Sequence, residues 1–66
     1  MGRTPFDELA HRVNNLLGTI EIQCELARVE GSVAACSEAL RHIEESARRT
    51  REELARLRAS NREANG

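Results

Sequence analysis

The sequence has no tryptophan, no tyrosine and no lysine, and it holds one phenylalanine and one proline in 66 residues. So few aromatic residues and so little proline give scant material for strands and their turns. The 39% hydrophobic content is largely Ala, Leu, Val and Ile, a composition that favours helix. An excess of one charge sign is missing as well. Ten arginines face eleven acidic residues, a net charge of −1, so no field draws the chain onto nucleic acid. No apolar run approaches the roughly 18–20 residues that span a bilayer, and no secretory signal pattern opens the chain. Met1-Gly2 begins like a myristoylation signal, but Phe6 stands where that signal needs Ser or Thr. These absences predict a cytoplasmic protein with no membrane and no nucleic-acid partner.

Cysteine and histidine are scarce too, with two of each. Cys24 and Cys36 fall on either side of the central turn, where a bridge is geometrically conceivable, but in a reducing cytoplasm they read as two small buried thiols. Neither the cysteines nor the distant histidines show the close pairing of zinc ligands, so no metal is expected, and no other cofactor motif is present. A chain of this length makes one domain, residues 1–66, whose core rarely supplies more than about 3–5 kcal/mol without disulfides, metal or oligomerisation. Self-association is the expected remedy.

What is present is helical periodicity. Thr4-Pro5 pairs a capping hydroxyl with proline at the first helical position, and Asp7 completes a capping box. From there Phe6, Leu9, Ala10, Val13, Leu16, Leu17, Ile20, Cys24 and Ala27 fill positions a, d and e of a heptad, with Gln23 as a polar d residue. A stripe this wide faces more than one neighbouring helix. Gly31 is suited to end that helix in the left-handed conformation and Ser32 to cap the next. Val33, Cys36, Leu40, Ile43, Ala47, Thr50, Leu54 and Leu57 then alternate steps of three and four, the repeat of a left-handed supercoil. Glu44 with Arg48, Glu45 with Arg49 and Glu52 with Arg56 are placed for i,i+4 pairing, so the arginine-rich stretch reads as a solvated face. The expectation is an all-α antiparallel hairpin: helix 1 over about 5–30, a turn at about 31–32, helix 2 over about 33–60 and a frayed tail at about 61–66. Two such hairpins would close into a homodimeric four-helix bundle.

His11 falls at heptad position f, farthest from the core. That places an imidazole in solvent on a rigid helix, with Asp7 and Glu8 one turn before it and Asn14 and Asn15 one turn after. Such neighbours are able to orient one ring nitrogen while the other acts as nucleophile, or to hold a water. His42, within Arg41-His42-Ile43-Glu44-Glu45, has no such company and reads as a flank residue of the bundle. Ile22, Leu26 and Val29, at positions c, g and c, break the apolar stripe between His11 and the turn. Extra packing near the turn and a partner-docking surface both account for them.

The stretch Leu9-Ala10-His11-Arg12-Val13-Asn14-Asn15-Leu16-Leu17-Gly18-Thr19-Ile20 resembles the H-box of the dimerisation and histidine-phosphotransfer domain of bacterial sensor histidine kinases. The likeness is closest to variants reading His-Arg-Val at the histidine and Asn-Asn-Leu just after it. It covers about a dozen residues tightly and the chain loosely, since that domain is a hairpin that dimerises into a four-helix bundle. The resemblance implies that His11 accepts the γ-phosphoryl group of ATP and passes it to an aspartate of a response-regulator receiver domain. It also implies that Asn15 helps position water for removing phosphate from the regulator, and that the regulator docks below the histidine, against Ile22 and Leu26 with Val29 at the edge.

Two departures from the pattern matter. Many members carry an acid directly after the histidine as a base, whereas this chain has Arg12; Glu8 is the substitute candidate, and Arg12 is suited to steady phosphoryl oxygens. The chain also has neither the length nor the glycine-rich boxes of an ATP-binding domain. A kinase domain in cis or in trans would have to supply the phosphoryl group, whether the chain is part of a larger kinase, a free-standing phosphotransfer protein or a relic that kept only dimerisation. The alternative is a non-catalytic helical dimeriser or adaptor, for which the His11 to Asn15 cluster has no purpose.

Overall fold

The computed structural model describes the backbone of residues 4–65 and the side chains of residues 4–62. The chain is an all-α hairpin, α1 over Pro5–Glu30 and α2 over Val33–Asn65. At the start of α1 the Asp7 N–H donates to Thr4 Oγ1 (3.0 Å) and the Thr4 N–H donates to Asp7 Oδ2 (3.4 Å), a reciprocal cap that satisfies two otherwise orphaned donors. Gly31 ends α1 at φ 71° and ψ 12°, and its N–H donates to the Ala27 carbonyl at 2.8 Å. Without a Cβ it enters this left-handed region at no steric cost. One residue later Ser32 Oγ accepts from the Ala35 N–H at 3.0 Å and starts α2.

Two expectations are corrected. α2 does not end near residue 60, because residues 60–65 contain neither glycine nor proline and the helix runs through them to Asn65. Gly66 and the Met1-Gly2 pair lie outside the described residues. The two cysteines are not buried; both are exposed free thiols. The heptad stripe of α2 lies against α1 along only part of its length. Val33 and Leu40 are 84% and 65% exposed, and near the turn the seam is taken by Ala35 and Ala39. Small side chains there let the helices approach closely beside a two-residue turn.

The seam is therefore narrow and partly polar. Glu8, Arg12, Leu16, Thr19, Gln23 and Ala27 on α1 are each half-buried, and the spacing of three and four marks them as one face. Among the described residues only Ala39 and Thr50 are buried. The Thr50 hydroxyl donates to the Ser46 carbonyl (2.8 Å), so its burial leaves no donor unsatisfied. Arg12 crosses the seam to Glu53, Nε to Oε1, at 3.5 Å.

The molecule measures 50 × 21 × 10 Å, and its radius of gyration of 15.4 Å exceeds the about 11 Å of a compact chain this long. One broad side is apolar. Phe6 and Leu9 border a cleft of about 350 Å³ with Leu54 and Leu57. Val13 and Leu17 continue that face along α1, and Leu40 and Val33 continue it by heptad steps along α2.

Candidate phosphotransfer site

The opposite side of the hairpin carries His11. At about 100° per residue, His11, Asn15, Ile22, Leu26 and Val29 follow one line along α1, in steps of four, seven, four and three. All five are exposed, Ile22 by 60%, Leu26 by 56% and Val29 by 75%. The line brings the proposed acceptor and the proposed docking residues onto one surface, with Ile22 about 16 Å from His11 along the axis.

Within this line the Asn15 Nδ2 lies 3.4 Å from His11 Nε2. An amide NH₂ only donates, so this contact selects the tautomer that presents the Nε2 lone pair and carries its proton on Nδ1. At 3.4 Å the bond is longer than the usual 2.7–3.2 Å, so it orients the ring while costing little to break. Glu8, one turn before the histidine, and Arg12, the residue after it, are joined by an ion pair at 3.8 Å, which holds the candidate base to the candidate phosphoryl-steadying group.

Beside Asn15 a cleft of about 270 Å³ opens between the helices. Arg12, Asn15 and Thr19 form its α1 wall, and Ser46, Arg49, Thr50 and Glu53 its α2 wall, so every lining side chain is polar. In the sequence the α2 residues of this cleft carry no site signal, with Thr50 part of the heptad repeat and Arg49 placed to pair with Glu45. The arginine-rich stretch reads there as a solvated face, yet folding the chain about Gly31-Ser32 lays the Ser46 to Glu53 segment against residues 12–19. Nearer the turn, Leu26 and Val29 border a groove of about 360 Å³ together with Glu38 and His42. His42 Nε2 lies 3.4 Å from Glu38 Oε1, and Arg41 donates to the same oxygen at 2.8 Å. That hydrogen bond and the guanidinium charge hold the Glu38 carboxyl below its ordinary value. The second histidine thus sits beside a surface ion pair, in a groove that Gln23 also lines.

The expected glutamate–arginine register is also corrected. Arg48 reaches forward to Glu52 (3.8 Å) and Glu45 is met by Arg41 (3.9 Å). Among the described residues no cluster of His, Cys, Asp and Glu is arranged to hold a metal ion, and no helix is long and apolar enough to cross a membrane.

Comparisons of the chain with protein-family models, curated proteins and solved structures return no match. The likeness to the H-box rests on the twelve residues from Leu9 to Ile20 alone.

Proposed function

We propose that this chain is a phosphoacceptor and dimerisation module of two-component signalling, acting in the cytoplasm with His11 as its acceptor. The observation that carries this reading is the exposed His11 ring, whose Nε2 is oriented by Asn15 within a segment resembling the H-box. The Nε2 lone pair attacks the γ-phosphorus of ATP held by a kinase domain in cis or in trans. The N–P bond forms as the P–O bond to ADP breaks, and ADP leaves with the bonding pair. Asn15 must first release Nε2, which the long contact makes easy. A receiver-domain aspartate then attacks the same phosphorus, the N–P bond breaks and the imidazole recovers its lone pair. Ile22, Leu26 and Val29 give that receiver an apolar contact in line with His11.

Dimerisation belongs to the same proposal. The hairpin exposes 5419 Å², whereas a compact chain of 7.4 kDa exposes about 4,200 Å². The excess of about 1,200 Å² is comparable to the roughly 800 Å² that each partner buries in a standard interface. A second copy laid on the Phe6, Leu9, Val13 and Leu40 side would close a four-helix bundle and leave the His11 side open. The scaffold-only alternative shares this dimer but leaves the His11 and Asn15 geometry without a role. Incubating the chain with kinase domains, radiolabelled ATP and receiver domains tests the reading. Acid-labile, base-stable label on His11 that chases to a receiver is the expected result, and a chain that takes no label from any kinase domain overturns it.

A further inference from the structure

We infer that the polar cleft beside Asn15 is an oxyanion subsite, built to receive a phosphoryl group, with Arg49 as its principal cation. Its functional meaning rests on the phosphotransfer reading, but its binding chemistry stands on the cleft alone. Three features point there. The first is the lining, which is polar throughout and rich in donors: two guanidinium groups, the Asn15 amide and the Thr19 and Ser46 hydroxyls, against the single carboxylate of Glu53. The seam of a helical hairpin ordinarily buries apolar side chains, so a polar stretch at this level costs cohesion that a packing role does not return.

The second is the charge accounting around Arg49. Its neighbours at i−4 and i+4 are Glu45 and Glu53, the usual partners of a helical arginine. Glu45 is engaged by Arg41 at 3.9 Å, Glu53 by Arg12 at 3.5 Å, and Glu52 by Arg48 at 3.8 Å. Every nearby carboxylate is met by another arginine, and Arg49 has no ion pair among the described residues while it lines the cleft. An unpaired guanidinium facing a donor-lined cleft suits a tetrahedral oxyanion, which it grips through two parallel N–H bonds.

The third is position. Asn15 lines the cleft and also touches His11 Nε2, so an oxyanion held there sits next to the acceptor nitrogen. The apolar side on which a second copy would lie is the opposite one, and dimerisation leaves the cleft open.

The test uses the full chain and inorganic phosphate, followed by NMR of arginine Nε–H and asparagine side-chain signals, with chloride at matched ionic strength as control. Phosphate should give saturable shifts at Arg49, Arg12 and Asn15. Arg49→Gln should weaken binding about tenfold with helicity retained, whereas Arg48→Gln, on the outward Glu52 pair, should leave affinity unchanged. His11→Gln should still bind phosphate. Linear shifts shared with Arg48 would show general screening and overturn the subsite, as would unchanged affinity in Arg49→Gln. Saturable binding at Arg49 in a chain that never labels on His11 would sustain the subsite and remove the phosphotransfer reading. Label on His11 with unaltered phosphate affinity in Arg49→Gln would do the reverse.

Discussion

His11 and Asn15 form a unit because four residues is one helical turn, and the amide needs no other element to find the ring. This local character makes the pair separable from folding. His11→Gln removes an exposed ring and should leave circular dichroism and melting within about 0.5 kcal/mol of the parent while abolishing phosphate uptake. Label retained by that variant would transfer the acceptor role to His42. Asn15→Ala should still accept phosphate, since the amide must move aside for the phosphoryl group, but it should slow removal of phosphate from a receiver. Equal removal rates would discard that role. The same locality explains what could be read in advance. The reciprocal cap of Thr4 and Asp7, the left-handed Gly31, the Ser32 cap and the exposure of His11 all depend on residues a turn apart. The Arg12 to Glu53 bridge and the Arg49 wall of the cleft depend on where α2 lies against α1. The sequence pattern also misjudged which carboxylates the arginines choose, because i+4 and i−4 partners compete for each guanidinium at nearly equal energy.

At the scale of the helix, α1 presents two exposed faces, for which different occupants are proposed. Gly18 belongs to the His11 face, between Asn15 and Ile22, and a Cβ built on it would meet nothing within 4 Å. A glycine inside a helix costs about 0.5–1 kcal/mol relative to alanine. Gly18→Ala should therefore raise the unfolding free energy of the isolated chain by about that amount, read by urea denaturation. If a receiver packs on this line, the added methyl should also slow phosphotransfer; an unchanged transfer rate would place the contact elsewhere on the face. Gly31→Ala is the opposite case, because its φ of 71° is unfavourable for a side chain by roughly 1–2 kcal/mol. The docking residues admit a parallel test. Ile22 and Leu26 are more than half exposed, so changing both to Ser should spare helicity and dimerisation while weakening receiver binding and transfer. A double variant that melts or becomes monomeric would return these residues to packing. The three residues were legible as breaks in the stripe, but their alignment with His11 settles only which face they share.

The whole molecule poses the question of what holds two helices together when Ala39 and Thr50 are the buried residues of the described hairpin. The seam supplies small side chains, half-buried leucines and the cross-helix ion pair of Arg12 with Glu53, a partly exposed pair worth about 1 kcal/mol at most. The larger aliphatic groups lie on the outer apolar side, where a lone hairpin leaves them in water. The heptads of α2 were legible in the sequence, but the face they serve was not, because the same repeat fits packing on α1 and packing on another copy. Leu40 separates the two possibilities. In a lone hairpin it is 65% exposed, and Leu40→Glu should change stability by no more than about 0.5 kcal/mol. In a bundle the same substitution buries an unpaired charge, which costs several kcal/mol against a small total. The expected outcome is a parent chain that sediments as a dimer at micromolar concentration and melts at a temperature rising with concentration. Leu40→Glu should be monomeric and largely unfolded under the same conditions, because in the proposed bundle the dimer interface would supply most of the core. A monomeric parent, or a Leu40→Glu variant that melts like the parent, would leave the apolar side unaccounted for by a second copy.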